Sequence, residues 1–213
     1  MIAYQQKFLY SQRIVPTFLP NYLKPLYRYI KKQYNLIDNP IFIEYSTIHH
    51  ILSVQDLAFS KKIVFSSKLD KYGYQKIRWQ SRLNQDFIEG VYTKSLHSIE
   101  KICFSIKKPK NIWSFLFLLE EFIAYNEVEY SEIWIPVSDL DFIYYLHCNS
   151  WNIAGYVLGW HFLPYFGKYE DMVVFTYRLS NKKMPDMKMI KEVQKLHNIL
   201  IQVNLQKINE LNS

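Results

Sequence analysis

The pattern of apolar and polar positions along the chain alternates between helical and extended periods. Segments in which apolar residues recur every three to four positions predict helices over 22–34, 82–90, 113–125, 139–147 and 186–211. Segments rich in β-branched and aromatic residues predict strands over 41–45, 62–68, 74–79, 98–106, 132–137, 155–163 and 171–180. Because helices and strands alternate, we predict an α/β fold in which helices cover both faces of a mixed, twisted sheet.

Turn and cap residues mark several element boundaries. Asp70–Gly73 has the composition of a hairpin turn. Gly90 is a residue type that commonly follows the last turn of a helix, so we expect 82–90 to be helical up to this position. The last helix is amphipathic, and we expect it to be an element over 181–213 appended to one domain over 1–180.

The composition restricts the class of protein. With 213 residues, of which 49% are apolar and 17% aromatic, the chain can bury a core and is not expected to be disordered. Only 5 glycines argue against glycine-rich nucleotide loops, and the 2 cysteines exclude a disulfide scaffold and a cysteine-rich zinc module. Neither a signal peptide nor an apolar run near the roughly 20 residues of a transmembrane helix is present, so we expect a cytoplasmic protein.

The charge balance favours an acidic partner. Lys and Arg total 26 against 19 Asp and Glu, which gives a net charge of +7, and lysine accounts for most of the excess. Base-specific and bidentate phosphate contacts are more often made by arginine. We therefore expect an acidic protein or a phosphate-bearing ligand, and no nucleic-acid partner.

Residue types with direct catalytic or metal-binding chemistry do not form a standard motif. His49 and His50 are adjacent and would point to opposite faces of a strand, and His147 and Cys148 are neighbours near a predicted helix end. No serine elbow, Walker loop or dinucleotide fingerprint is present. We predict no metal site.

The second half of the chain contains short motifs in a characteristic order. They are Ile99–Ile106 with Glu100, the basic turn Lys107–Lys110, the apolar helix Trp113–Tyr125, Val137–Ser138, Ser150–Trp151, Leu158–Gly159 and Pro164–Gly167. This order and spacing resemble the bacterial acyl-homoserine-lactone synthases, which make autoinducers for quorum sensing and belong to the GNAT acyltransferase superfamily. The resemblance implies a GNAT-like fold and an enzyme that moves an acyl chain from a thioester to a primary amine.

The resemblance also implies roles for individual residues. Glu100 would be the catalytic general base, and backbone N–H groups from Cys103 to Ser105 would hold the oxyanion. The residues expected to bind substrate are Arg78, Phe104, Ser138, Trp151 and Asp56. The residues expected to dock the acyl donor are Lys107, Lys108 and Lys110, with Lys182 and Lys183 as further members of a basic rim.

The implied substrates are small molecules and an acidic protein, and no permanently bound cofactor is implied. The donor would be an acyl-carrier-protein thioester (acyl-ACP) or acyl-CoA. S-adenosylmethionine would be one acceptor, and its acylated product would close to a lactone. The strands 98–106 and 132–138 would be parallel neighbours that diverge at one end, near Pro136. The C-terminal helix would offer a surface for a homo-oligomer.

The chain departs from the family pattern in two places. The Glu-x-Asp-x-x-Asp cluster that holds the amine substrate in the family is absent, and Glu44 and Asp56 are the acids nearest its place. Cys103 occupies the position of an arginine that follows the strand glutamate by three residues. Two alternatives are therefore retained, namely an N-acyl amino-acid synthase of the same superfamily and a non-catalytic binding protein with the same scaffold.

Each candidate feature also has a purely structural interpretation. Glu100 fits an outward-facing strand carboxylate, and Lys107–Lys110 fits a solvated turn. Pro136 fits an edge strand or a bulge as well as a split between two strands. The tryptophans and the aromatic residues of 113–125 fit an apolar core as well as an acyl pocket.

Overall fold

A computed structural model describes residues 12–44, 54–108, 111–178 and 191–211. Within these ranges the chain has a mixed α/β fold, which confirms the predicted fold class. The strands are β1 Phe18–Pro20, β2 Ile41–Ile43, β3 Ile63–Leu69, β4 Gln75–Ser81, β5 Phe87–Thr93, β6 Ser98–Ser105, β7 Tyr130–Pro136, β8 Trp151–Leu163 and β9 Lys168–Arg178. The α-helices are α1 Lys24–Tyr34, α2 Val54–Ser60, α3 Ile112–Tyr125, α4 Leu140–Cys148 and α5 Lys191–Leu211.

The chain divides into two compact units. Among the described residues, the first unit contains 12–44, 135–175 and 191–211, and the second contains 54–108, 111–134 and 176–178. The larger sheet has seven strands in the order β3-β4-β5-β6-β7-β9-β8, and β1 and β2 form a separate parallel pair. β3 to β6 belong to the second unit and β8 to the first, while β7 and β9 each have residues in both.

In the second unit, antiparallel strands are followed by a parallel pair. β3 pairs with β4, β4 with β5, and β5 with β6, all in antiparallel register. α3 then connects β6 to β7, which are parallel neighbours with Ser98 opposite Tyr130 and Ile102 opposite Ile133. The predicted parallel pairing is thus confirmed. The register of this pair is described up to Ile102 opposite Ile133, and the predicted divergence of the two strands beyond it stays a prediction.

A β-bulge in β6 decides which of its side chains share a face. Glu89 lies opposite Cys103 and Val91 lies opposite Glu100, so β5 has one residue between these pairs where β6 has two. In a regular strand Glu100 and Cys103 would point to opposite faces, because they are three positions apart. The extra residue of the bulge brings both side chains to the same face.

The bulge depends on close contact between β5 and β6 at Gly90. A Cβ atom at this position would lie 3.1 Å from Cγ2 of Ile99 and 3.2 Å from Cγ1 of Ile102. Across from it, Lys101 has a φ of 53°, a left-handed conformation that is uncommon for a residue with a side chain. The glycine therefore provides the space, and the lysine accepts the strained conformation that places Glu100.

The face of this sheet toward α3 forms the apolar core of the second unit. Its buried strand residues are Ile77, Trp79, Ile88, Tyr92, Ile99 and Ile102, and those of α3 are Ile112, Phe115, Leu116, Leu119 and Ile123. Phe122 packs edge-on against Trp79 and Tyr92, with ring centroids 5.4 and 5.3 Å away. Each large side chain buried in this way contributes about 1.5–3 kcal/mol. The aromatic residues of α3 that are buried here act as core.

The first unit contains a buried polar network around Asp171. Arg13 donates to both carboxylate oxygens of Asp171 at 2.6 and 2.5 Å, and the hydroxyl of Tyr156 donates to Oδ2 at 2.6 Å. Arg13 also contacts Asp38, which accepts a further hydrogen bond from Tyr27. Burial and the adjacent Asp171 raise the pKa of Tyr156 well above its ordinary value. Removing one member of such a buried pair typically costs about 3–5 kcal/mol, so this network holds the first unit together.

The predicted C-terminal helix is present as α5 and packs within the first unit. Val203 is fully buried. The side chain of Asn204 donates to the carbonyl of Ile153 at 3.0 Å and accepts from its N–H at 2.9 Å. The predicted residues 186–190 of this helix lie outside the described residues. The division into a domain over 1–180 and an appended element stays a prediction.

The predicted helix over 82–90 is wrong. Residues 87–93 form β5, and the turn before it closes where the N–H of Ser81 donates to the carbonyl of Asp86 at 3.0 Å. Gly90 is a strand residue selected by the close approach of β6, and it does not end a helix. The helix α2, Val54–Ser60, lies in a region for which the sequence predicted no element. The other predicted elements that the structure describes are present with shifted ends.

Candidate functional site

The open face of the second-unit sheet, opposite the face that packs on α3, forms a groove of about 760 Å³. The lining comes from β3, β4, β5, β6 and the turn between β3 and β4. Its charged members are Lys68, Asp70, Lys76, Arg78, Glu89, Glu100 and Lys101. A groove of this volume that is lined by both signs of charge suits a small polar ligand.

The strand register arranges the groove side chains in two rows across the sheet. The first row contains Lys68, Lys76, Val91 and Glu100. The second row contains Ser66, Arg78, Glu89 and Cys103. Since neighbouring strands are about 4.8 Å apart, the backbones of Lys76 and Glu100 are separated by roughly 10 Å.

The second row is a hydrogen-bonded cluster. Glu89 accepts from Nη1 of Arg78 at 2.6 Å and from the thiol of Cys103 at 3.3 Å. The guanidinium of Arg78 lies over the ring of Phe87, with Cζ 3.9 Å from the ring centroid, and its buried Nε has no hydrogen-bond partner among the described residues. Partial desolvation, followed by the hydrogen bond to Glu89, raises the pKa of Cys103 to about 11. The thiol is therefore protonated at neutral pH and unsuited to nucleophilic attack.

Glu100, the predicted base, lies in the first row and is exposed. Its Oε1 is 3.5 Å from the hydroxyl of Ser98, a distance at which a hydrogen bond is weak. Arg78 pairs with Glu89 and not with Glu100. The carboxylate of Glu100 is thus accessible to a ligand in the groove.

The remaining predicted site residues are distributed over several places. Phe104 is half-buried and lies opposite Ile88, so it points to the face that packs on α3. Asp56 lies in α2, where its backbone carbonyl accepts a hydrogen bond from Ser114 at 2.9 Å. In the first unit, Ser138 is exposed just after β7 and Trp151 is fully buried at the start of β8. Of the predicted catalytic base and the five predicted substrate-binding residues, the groove brings together only Glu100 and Arg78.

The predicted docking lysines lie after β6. Lys107 and Lys108 are exposed and close the turn that leads to α3, whereas Lys110, Lys182 and Lys183 lie outside the described residues. The turn is fixed by Asp86, whose fully buried carboxylate accepts from the N–H of Lys107 at 3.0 Å and from the side-chain amide of Asn111 at 2.9 Å. The turn between β4 and β5 therefore holds the two lysines in place.

Among the charged groove residues that the sequence did not identify are Glu89, Lys68 and Lys76. Glu89 lies in the segment that was wrongly predicted as a helix over 82–90. Lys68 and Lys76 lie in the two predicted hairpin strands, and no functional role was predicted for them. The β-branched and aromatic residues of Phe87–Thr93 are the signal that indicates a strand there. The pairing of Lys68 with Lys76 depends on the hairpin register, which a connection of five residues does not determine uniquely.

In the described ranges, no three or more His, Cys, Asp or Glu side chains are grouped so that they could hold a metal ion. No described helix has both the length and the apolar character needed to cross a membrane.

Comparisons with known proteins give matches at the level of structure only. No protein-family model and no curated protein matches the chain. The spermidine/spermine N-acetyltransferase SpeG from Vibrio cholerae, solved in complex with manganese ions, has a TM-score of 0.42 and 9% identity, with 56% of this chain and 94% of that one covered. The ribosomal-protein-S18-alanine N-acetyltransferase from Escherichia coli has a TM-score of 0.40 and 12% identity, with 65% and 96% covered.

A third match concerns a protein provisionally assigned as an acetyltransferase. Its TM-score is 0.39 at 11% identity, and 62% of this chain is covered. This chain spans 64% of that protein, which is less than two thirds of its length. Since these scores lie below 0.5, the proposals for this chain depend on its own strands, contacts and charges.

Proposed function

We propose that this protein transfers an acyl group from a thioester donor to a primary amine bound in the groove. The observation that supports this most directly is the geometry of β6. Its bulge places the accessible carboxylate of Glu100 in the groove, on the same strand face as Cys103. A carboxylate close to strand N–H groups can provide the two elements that aminolysis of a thioester needs.

In the proposed reaction, Glu100 accepts a proton from the ammonium group of the bound amine, directly or through water. The amine then attacks the thioester carbonyl carbon, so that a C–N bond forms and a tetrahedral oxyanion results. Collapse of this intermediate breaks the C–S bond, and the thiolate of the donor leaves and takes up a proton. A positioned general base typically contributes roughly 100- to 10,000-fold to such a step.

The oxyanion would be held by backbone N–H groups of β6 between Cys103 and Ser105. These residues pair with β5 on one side, where Cys103 lies opposite Glu89 and Ser105 opposite Phe87. On the side toward β7, the predicted divergence of the two strands would leave N–H groups of β6 without a ladder partner. N–H groups directed to that side are fixed by the strand and need no reorganisation when charge develops on the carbonyl oxygen.

Glu100 suits the role of base better than Glu89. Both oxygens of Glu89 are already hydrogen-bonded, one by the guanidinium of Arg78 and the other by the thiol of Cys103. The described partner of Glu100 is the distant hydroxyl of Ser98. A carboxylate with a vacant oxygen can accept a proton from a ligand without first breaking a charge-assisted bond.

The donor would be acyl-ACP or acyl-CoA. Lys107 and Lys108 are exposed, and Asp86 fixes their turn at the end of β6, where the thioester would enter. Clustered lysines attract both an acidic carrier protein and the phosphates of CoA. Synthesis of an acyl-homoserine lactone from S-adenosylmethionine is the finer version of this proposal, and N-acyl amino-acid synthesis is its alternative.

Two further expectations belong to the proposal. The protein would act in the cytoplasm, where acyl-ACP and acyl-CoA are present. It would also self-associate through α5, which leaves the apolar side chains of Val193, Ile201 and Leu205 between 42 and 52% exposed.

The proposal is tested by incubating the purified protein with acyl-CoA or acyl-ACP and a panel of primary amines that includes S-adenosylmethionine and amino acids. Release of free thiol and mass spectrometry of the N-acyl product measure transfer. We expect transfer with at least one donor and acceptor pair, and we expect Glu100→Gln to lower kcat by roughly 100-fold or more.

Glu121→Gln is the matched control. Glu121 is exposed on α3, and its substitution removes one negative charge outside the groove, as Glu100→Gln does inside it. It should leave kcat within twofold of wild type. An absence of transfer with every pair would favour the non-catalytic binding protein. Equal kcat for Glu100→Gln and wild type would remove Glu100 from the mechanism.

A further inference from the structure

The first row of the groove has opposite charges at its two ends. Lys68 and Lys76 lie directly opposite each other on β3 and β4, and Glu100 lies at the other end, on β6. Both lysines are exposed, and neither forms an ion pair with a carboxylate of a described residue. Like charges directly opposite each other on one sheet face are destabilising. The sheet tolerates this repulsion at a position where a bound anion would relieve it.

The other charges of the groove do not neutralise these two lysines. Glu89 is engaged by Arg78 and Cys103. The carboxylate of Asp70 accepts the backbone N–H groups of Tyr72 and Tyr74 at 2.8 and 2.9 Å, so it is held in the hairpin turn. Lys101 follows Glu100 on β6, so its positive charge belongs to the other end of the row. The end of the row on β3 and β4 has two lysines that no described carboxylate neutralises.

A third donor extends this cationic end into the second row. Arg78 lies on β4 two residues after Lys76 and faces the same groove. Its Nη1 is bound to Glu89, but its Nε is buried without a hydrogen-bond partner among the described residues. An unsatisfied buried donor is destabilising, and a hydrogen bond to an anionic oxygen of a ligand would satisfy it.

We propose that Lys68 and Lys76, assisted by Arg78, form an anion subsite for the acceptor, so that the substrate is an amine with a carboxylate or phosphate at its other end. The inference rests on the proposed acyl transfer. With its ammonium group at Glu100, such a molecule places its anion toward β4 and β3, across strands spaced about 4.8 Å apart. Polyamines, whose second end is a cation, would be repelled by the same lysines and excluded.

Three acceptors of equal chain length test the effect of the charge at the end opposite the reacting amine. 5-Aminopentanoate has an amine and a carboxylate, pentylamine has the amine alone, and 1,5-diaminopentane has two amines. We expect the wild-type kcat/KM to decrease in that order, with at least a tenfold difference between the first and the last. Phosphoethanolamine distinguishes a phosphate from a carboxylate as the preferred anion.

The variant Lys68→Glu/Lys76→Glu should reverse this order. Its KM for 5-aminopentanoate should rise at least tenfold while its KM for the acyl donor stays unchanged, and 1,5-diaminopentane should become the better acceptor. Lys61→Glu/Lys62→Glu is the matched control, because it reverses two exposed lysines at the opposite end of β3, outside the groove. It should keep the wild-type order.

Calorimetric titration of 5-aminopentanoate without any donor makes the test independent of catalysis. Binding that is lost in Lys68→Glu/Lys76→Glu and kept in Lys61→Glu/Lys62→Glu supports the subsite even if no acyl transfer is found, in which case only the proposed function fails. Transfer to amines with equal kcat/KM for all three acceptors would overturn the subsite and leave the proposed function standing. A circular dichroism spectrum checks that each variant is folded.

Discussion

At the residue scale, Glu89 gives the groove its local chemistry. It holds Arg78 in position and accepts a hydrogen bond from the thiol of Cys103, so the thiol keeps its proton and stays neutral. The guanidinium that binds this carboxylate comes from β4, through Arg78. The cluster therefore combines a cation from β4 with a neutral thiol from β6.

The thiol titration tests this arrangement. In a Cys148→Ser background, which leaves Cys103 as the thiol being observed, the rate of alkylation by iodoacetamide should rise with a midpoint near pH 11. Glu89→Gln removes the negative charge beside the thiol, so the midpoint should shift down toward the ordinary value of 9.0. A midpoint that does not move would show that Glu89 has no influence on this thiol.

The same pKa predicts the direction of a pH effect on stability. The folded protein holds the thiol proton more tightly than the unfolded chain does. This contribution to the free energy of unfolding is thus complete below about pH 9 and is lost as the pH rises toward 11. Urea titrations over this pH range should show a smaller loss for Glu89→Gln than for the protein with Glu89.

At the element scale, the bulge in β6 is the device that makes the groove. Without the additional residue, Glu100 and Cys103 would lie on different faces, and the row that contains Lys68 and Lys76 would lack its negative end. Local sequence shows an alternating strand over 98–106, but it does not show where the alternation is interrupted. The interruption is decided by contact with Gly90 on the neighbouring strand.

Gly90→Ala should therefore disturb both stability and activity. The new methyl group would meet Ile99 at 3.1 Å and Ile102 at 3.2 Å, so the strands must move apart. Overpacking of this kind typically costs about 1–3 kcal/mol. We expect a lower urea midpoint and a reduced kcat for acyl transfer.

Gly155→Ala is the matched control for this effect, because its nearest neighbour, Val174, would lie 4.0 Å from the new Cβ. It should change the midpoint by much less than Gly90→Ala. If the two variants unfold at the same urea concentration, the tight contact at Gly90 is not needed for the bulge.

At the scale of the whole molecule, the net charge of +7 has a proposed function at the donor entrance. Lys107 and Lys108 are exposed next to the end of β6, and acyl carrier proteins are acidic. A transient complex of this kind gains association rate from long-range attraction without rigid bidentate contacts. The alternative without a specific function is that the lysines keep an aromatic-rich protein soluble.

Charge reversal distinguishes these two interpretations. Lys107→Glu/Lys108→Glu should weaken binding of acyl carrier protein at 50 mM salt at least tenfold, whereas Lys61→Glu/Lys62→Glu should have a smaller effect. Raising the salt to 500 mM shortens the screening length from roughly 14 to 4 Å, so the difference between wild type and variant should shrink. Equal affinity of wild type and variant at low salt would exclude this turn as the docking surface.

Much of the fold and part of the site follow from the sequence alone. The hairpin of β3 and β4, the apolar helix α3, the β8–β9 pair and the amphipathic α5 were predicted from periodicity and turn residues, because these signals lie within single segments. Glu100 was selected by the family resemblance as a catalytic base, with an outward-facing strand carboxylate as the alternative interpretation. Its catalytic role stays a prediction until the variant is measured.

Only the tertiary structure decided which of these residues lie together. Glu89 is identified as a groove residue only because 87–93 is a strand and not a helix. The hairpin register places the two lysines opposite each other. Arg13 and Asp171 are 158 positions apart and meet in a buried ion pair that no local pattern indicates. The physical reason is common to these cases. Periodicity records which face of its own element a side chain occupies, whereas strand register, bulges and long-range pairs depend on the neighbouring element, which local sequence does not specify.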